Sequence, residues 1–246
     1  MRKFLYTLLF ISAITACKKD DTLRYNNVTM GNIDGESIIS DQGNIFHVAQ
    51  TPFEIKFEDY KRVLVVCDVL KETAEKTYDI RLTGIANVLD KKVKTMEDST
   101  EEEPLTVSDP VRIQDIWYSG GYLNIAFDTA YKNGSETTHF INLVREESEK
   151  EGTYVFSFLH NAQGEVPTET DKGTYTVGGG YASFHIASII EGDSAKIVLK
   201  WKSHKFNGYG FSLTESEDMS KEYSWTRGGH EHAPRELVLK STVGIQ

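Results

Sequence analysis

The sequence predicts an all-β protein in two parts. Three observations point there. Apolar and polar residues alternate with period two, as where Tyr78, Ile80 and Leu82 interleave with Asp79, Arg81 and Thr83. Turn-forming Gly, Asn and Asp punctuate the chain at short intervals. No stretch beyond Ile14 sustains a helical period. The 246 residues are 39% apolar and 11% aromatic, enough for a real core. The formal charge of −10 argues against a nucleic-acid partner, because that affinity comes mainly from Lys and Arg on phosphates. Two cysteines make no disulfide framework.

Residues 1–16 read as an address. Arg2 and Lys3 precede an apolar run from Phe4 to Ile14, too short for the ~20 residues of a spanning helix. Ile14-Thr15-Ala16-Cys17 then resembles the lipobox of bacterial lipoproteins, in which cleavage leaves a lipid-bearing cysteine at the mature N-terminus. Lipid on Cys17, detectable as palmitate, is therefore the expected membrane attachment, and several acyl chains make such anchoring stable. Residues 17–24 form the lipidated tether. Its Lys18-Lys19-Asp20-Asp21 reads as a solvated spacer, and it resembles surface-export signals of Gram-negative lipoproteins. The expected location is the outer membrane of a Gram-negative bacterium, facing the periplasm or the cell surface.

Strand signals follow at Val28–Ile33, Ser37–Ser40, Ile45–Gln50, Arg62–Leu70 and Tyr78 to about Val88. The fourth is apolar on consecutive positions, as in a strand buried on both faces, and Cys67 within it reads as a small core residue. Gly84 suggests a bulge that helps close a small barrel. Residues 53–61 have room for one helical turn. Five acids in residues 97–103, followed by Pro104, predict an extended, mobile linker over 97–109.

After Pro110 strands resume at Val111–Tyr118, Tyr122–Asp128 and His139–Arg145, with Asn133-Gly134 as a hairpin signal. Tyr154, Phe156 and Phe158 share a face, as do Ile197, Leu199 and Trp201, opposite a wet face of Lys196, Lys200 and Lys202. Gly178-Gly179-Gly180 reads as a hinge or hairpin loop. The pattern suggests an antiparallel sandwich.

These parts resemble the NigD-like lipoproteins of Gram-negative anaerobes. The resemblance rests on Asp41-Gln42-Gly43-Asn44, Tyr60-Lys61-Arg62-Val63-Leu64-Val65, Tyr78-Asp79-Ile80-Arg81-Leu82, the run Ile116 to Ile125 and the run His139 to Val144. It implies a five-stranded OB-like barrel over 25–96 and a β-sandwich domain over 110–246. The family's name comes from a bacteriocin gene cluster, which implies an immunity role as one alternative. It brings no catalytic residues.

Chemistry-bearing clusters are few. His230-Glu231-His232 offers two imidazoles to one metal if it lies on a strand, but the sequence names no third ligand, and its plainer reading is a polar loop. The remaining histidines lack ligand spacing. Trp117, Tyr118 and Tyr122 flank Ser119-Gly120-Gly121 and suit a sugar face or a protein partner, or else half-bury in a hairpin. No nucleophile elbow, phosphate loop or zinc-helix motif is present. The expectation is a non-catalytic binding or assembly module for protein or glycan, without cofactor. A hydrolase with an unrecognised site is the other alternative.

Overall fold

The computed structural model describes residues 24–206, 208 and 210–230. The leader 1–16, Cys17 and His232 lie outside the described residues. Among the described residues no helix is long and apolar enough to cross a membrane.

Five strands close the N-terminal barrel: β1 (Arg24–Asp34), β2 (Ser37–Ser40), β3 (Ile45–Gln50), β4 (Arg62–Ala74) and β5 (Thr77–Asn87). Their order around the barrel is β1-β2-β3-β5-β4, and β4 pairs back onto β1. One 3₁₀ turn at Phe57–Asp59 occupies the expected helical position. Strand β4 explains its own apolar run. Val63, Val65, Cys67 and Val69 fill the barrel with Ile38, Phe46, Ile80 and Leu82. Leu64, on the opposite face, joins Val28, Met30, Ala86 and Val88 against Trp117, Ala126 and Tyr181 of the second domain. Cys67 is fully buried inside the barrel, as expected of a core residue, and burial pushes its thiol up to about 11. The Gly84 bulge is present. Val66 opposes Gly84 and Cys67 opposes Leu82, which leaves Thr83 extra; its hydroxyl donates to Val66 O at 3.0 Å.

The sandwich has two four-stranded sheets. One runs β6 (Leu89–Lys91), β11 (Tyr175–His185), β8 (Tyr122–Lys132), β7 (Arg112–Ser119). The other runs β13 (Phe211–Thr226), β12 (Ser194–Phe206), β10 (Thr153–Asn161), β9 (Phe140–Glu146). Leu123, Ile125 and Phe127 meet Ile141, Leu143, Phe156, Phe158 and Leu199 in the core between them. Most pairings are antiparallel, but β6 with β11 and β10 with β12 run parallel.

Two local expectations are corrected. Gly178-Gly179-Gly180 is no hinge or hairpin loop but the interior of β11. A Cβ on Gly179 would sit 1.9 Å from Phe127 O, so glycine permits the close approach of β8. Asn133-Gly134 does turn the chain, with Gly134 at φ +77°, but the turn makes no hairpin. Strands β8 and β9 lie in opposite sheets, and residues 135–138 carry the chain across.

The acidic stretch expected to be mobile is held at several points. Strand β6 enters the sandwich sheet before the acidic run starts. Thr95 N–H donates to Asp98 Oδ2 at 2.7 Å across a 3₁₀ turn. Glu103 accepts from Lys94 Nζ at 2.6 Å, Asn142 Nδ2 at 2.8 Å and Lys91 Nζ at 3.5 Å. Burial works against the Glu103 charge, yet Lys94, Asn142 and Lys91 more than offset it and hold the carboxyl below its usual range. Leu105 is buried, and its N–H donates to Ser99 Oγ. Charge counting along the chain could not see the lysines waiting opposite. Glu103→Ala should therefore cost about 1–3 kcal/mol, the scale of hydrogen bonds to charged groups. It should also speed proteolytic cleavage within 97–104, read from a digestion time course. Cleavage as slow as wild type would show that Glu103 does not hold the segment.

Candidate functional site

Polar chemistry gathers in three places. The first is the seam between barrel and sandwich. The turn after β2 delivers Asp41 and the start of β4 delivers Arg62, whose side chains are 2% and 0% exposed. Arg62 Nη1 donates to Asp41 Oδ1 at 2.9 Å and Nη2 to Oδ2 at 2.8 Å, a bidentate pair. Nη2 also reaches Asn124 Oδ1 at 3.1 Å. Asn124 accepts from Ser183 Oγ at 2.6 Å and donates to Ser119 Oγ at 2.9 Å, and Ser119 Oγ returns to Asp41. The guanidinium lies 3.8 Å from the Tyr122 ring centroid. A Cβ on Gly120, which sits at φ +58°, would meet Asp41 Cγ at 2.7 Å. The polar face of β8 is thus buried under the barrel.

This seam decides the aromatic candidates. Trp117 is buried in the seam cluster, and Tyr118 in the sandwich core. Tyr122 is half-buried between Arg62 and His185, whose ring centroid is 5.0 Å away. The predicted stacking platform is therefore an internal joint, not a ligand surface. Hairpin residues looked half-wet only because the sequence does not show the barrel that covers them.

The second place is a histidine cluster that chain spacing did not reveal. His139 precedes β9, His160 lies on β10 and His204 on β12, all buried. His160 Nε2 is 3.0 Å from His139 Nδ1, and Thr129 Oγ1 is 3.3 Å from the His160 ring. Tyr131 stacks on His139 at 4.8 Å. His139 Nε2 faces Glu165 Oε2 at 3.8 Å. Burial, reinforced by His139, pushes His160 down to about 3. Burial also lowers His139 and His204. Ser135 is nearby, but its hydroxyl bonds Glu165 and not an imidazole, so the serine–base order of a hydrolytic triad is missing. His230 is exposed, and its ring meets the Gln42 side chain. Among the described residues no group of three His, Cys, Asp or Glu is placed to hold a metal ion.

The third place is open to solvent. A groove of about 810 Å³ runs between Thr95–Glu97 and the β9–β10 turn. Its lining includes Met96, Arg145, Glu147, Lys150 and Tyr154. The Arg145 guanidinium lies 5.2 Å from the Tyr154 ring centroid. Lys200 Nζ holds Glu146 at 2.6 Å, and Ser157 bonds the same carboxylate, so the rim is braced from β12 and β10. The sequence showed residues 146–152 as a charged turn but not Met96 opposite it. An aromatic wall edged by both signs of charge can stack a ring and hydrogen-bond its polar groups.

Residues 92–212 match the model of the NigD-like C-terminal beta sandwich domain. Similar solved structures include a NigD-like immunity protein from Bacteroides caccae, 20% identical with a TM-score of 0.58, covering 81% of this chain and 96% of that one. A protein of unknown function from Bacteroides vulgatus is 18% identical with a TM-score of 0.57, covering 85% and 95%. A protein from Bacteroides fragilis, provisionally named a lipoprotein, is 11% identical with a TM-score of 0.50, covering 80% and 96%. A search of the curated proteins matched none.

Proposed function

We propose, for a chain that belongs to the NigD-like family through its C-terminal β-sandwich, a non-catalytic binding role at the bacterial envelope. The molecule is anchored by lipid on Cys17 and presents the groove at Arg145 and Tyr154 to a glycan or protein. The groove carries this reading: it pairs the half-buried Tyr154 ring, fixed by the Glu191 N–H that donates to its hydroxyl at 2.7 Å, with braced charges. The lipobox-like Ile14-Thr15-Ala16-Cys17 and the lipoprotein name of the Bacteroides fragilis relative support the anchor. The outer membrane, facing periplasm or cell surface, is the location that fits them. A bacteriocin-immunity role is the alternative, favoured by the name of the Bacteroides caccae relative.

The lipidated protein, purified in detergent, should give discrete signals on a glycan array. Tyr154→Ala and Arg145→Ala should each weaken them about tenfold, the 1–2 kcal/mol of a stacking or charge-assisted contact. An empty array together with protection of sensitive cells from a bacteriocin would move the immunity role to first place. Labelled palmitate should enter wild type and Cys67→Ala but not Cys17→Ala. Equal labelling of wild type and Cys17→Ala would remove the anchor.

A further inference from the structure

We infer that the outer edge of β13, which no described strand pairs, is a self-association surface on which a second copy of this chain pairs antiparallel, with the two-fold axis at Met219. Strand β13 spans Phe211–Thr226, 16 residues, and among the described residues stands at the end of its sheet. From Thr226 to Ser216 it pairs with β12 in unbroken register. That pairing uses one rim of its backbone, and the other rim offers a row of N–H and C=O groups that can template a further strand. Residues 215–222 are all exposed, and Met219 is 39% exposed. From Ser216 to Glu222 the strand has neither proline nor bulge, two devices that blunt natural sheet edges, and its irregularity lies between Phe211 and Ser216.

The order of side chains selects the partner. Glu217 and Lys221 stand two residues on either side of Met219, so all three share one face of the strand. In an antiparallel pair about a two-fold axis at Met219, positions equally distant from it meet. Glu217 then faces the partner subunit's Lys221, and the same contact occurs a second time by symmetry. The two Met219 side chains meet on the axis, Asp218 faces the partner subunit's Ser220, and Ser216 faces the partner subunit's Glu222. No like charges stand directly opposite, the arrangement that favours cross-strand pairs. Within one chain Glu217 makes no ion pair among the described residues, and Lys221 only overlies the Tyr223 ring at 4.9 Å. Both groups therefore have capacity for the symmetric contact. The stripe is self-complementary, as an isologous interface requires.

The test uses two copies of the full lipidated protein carrying different affinity tags, mixed in detergent. Wild-type copies should capture one another. Glu217→Lys places lysine against lysine, and Lys221→Glu places glutamate against glutamate. Each should lower its own co-capture by at least about tenfold, because like charges across an interface are costly. Mixing the Glu217→Lys copy with the Lys221→Glu copy should restore capture, since both symmetric contacts regain opposite charges. That rescue also shows that the two variants fold. Met219→Cys should add a disulfide-linked dimer on a non-reducing gel beyond any wild-type band. Absent wild-type capture, or capture that both charge variants leave unchanged, would overturn the inference.

Discussion

Asp41→Ala is expected to destabilise the protein by about 3–5 kcal/mol, because it leaves the Arg62 guanidinium buried without its carboxylate. The pair is almost fully enclosed, and its other partners are neutral amides and hydroxyls that cannot replace the lost charge. The damage should reach both domains, since Arg62 starts β4 of the barrel while Asn124 and Ser119 belong to the sandwich. Asp41→Ala combined with Arg62→Leu should cost less than the two single changes added together, because no buried charge then remains alone. Lys61→Ala is the control. Lys61 pairs with Asp90 at 3.7 Å, but its side chain is 87% exposed, and its loss should have little effect. Denaturant titration of the four variants measures the cycle. Additive costs would mean that Asp41 and Arg62 are not coupled.

The seam also shows how far the sequence could be read. Three of the five segments that carried the family resemblance, Asp41–Asn44, Tyr60–Val65 and Ile116–Ile125, converge on this one network. Their pattern was visible because a bidentate pair, a glycine against a carboxylate and a buried amide tolerate few alternatives. Its meaning was not visible, because all these contacts are long-range; Arg62 and Asn124 lie 62 positions apart. The five barrel strands followed from local alternation and turns, a short-range signal. Local patterns failed where the deciding neighbour was remote. Gly179 was shaped by β8, the Asn133-Gly134 turn led into the opposite sheet, and Glu103 found lysines before and an amide beyond it. The histidine cluster was hidden for the same reason, since His139 lies just before β9 and His160 and His204 lie on β10 and β12, with no common spacing.

That cluster predicts marked acid sensitivity. His160 is held at about 3 when folded, against an ordinary value near 6.5. Burial is the main cause, with His139 and His204 adding to it and backbone carbonyls opposing it. Above pH ~6.5 neither folded nor unfolded chain protonates this ring, so it gives no pH dependence there. Below ~6.5 the unfolded chain takes up the proton and the folded chain does not. Stability should then fall by about 1.4 kcal/mol per pH unit for this one ring until pH approaches 3. Between pH 7 and pH 5 that amounts to about 2 kcal/mol. His139 and His204 are lowered too and steepen the loss, although Glu165 and Asp109 oppose the effect at His139. The carboxylates of Glu103, Glu146 and Glu165, held low by their partners, lose stabilisation at more acidic pH as they protonate. Histidine and carboxylate contributions are therefore separable by pH. Urea titrations at pH 7, 6 and 5 should show the midpoint dropping. His160→Gln should be weaker at pH 7, because it perturbs a packed core, yet lose less on going to pH 5. Parallel pH dependences in wild type and His160→Gln would mean that His160 is already protonated, or already solvated, in the folded protein.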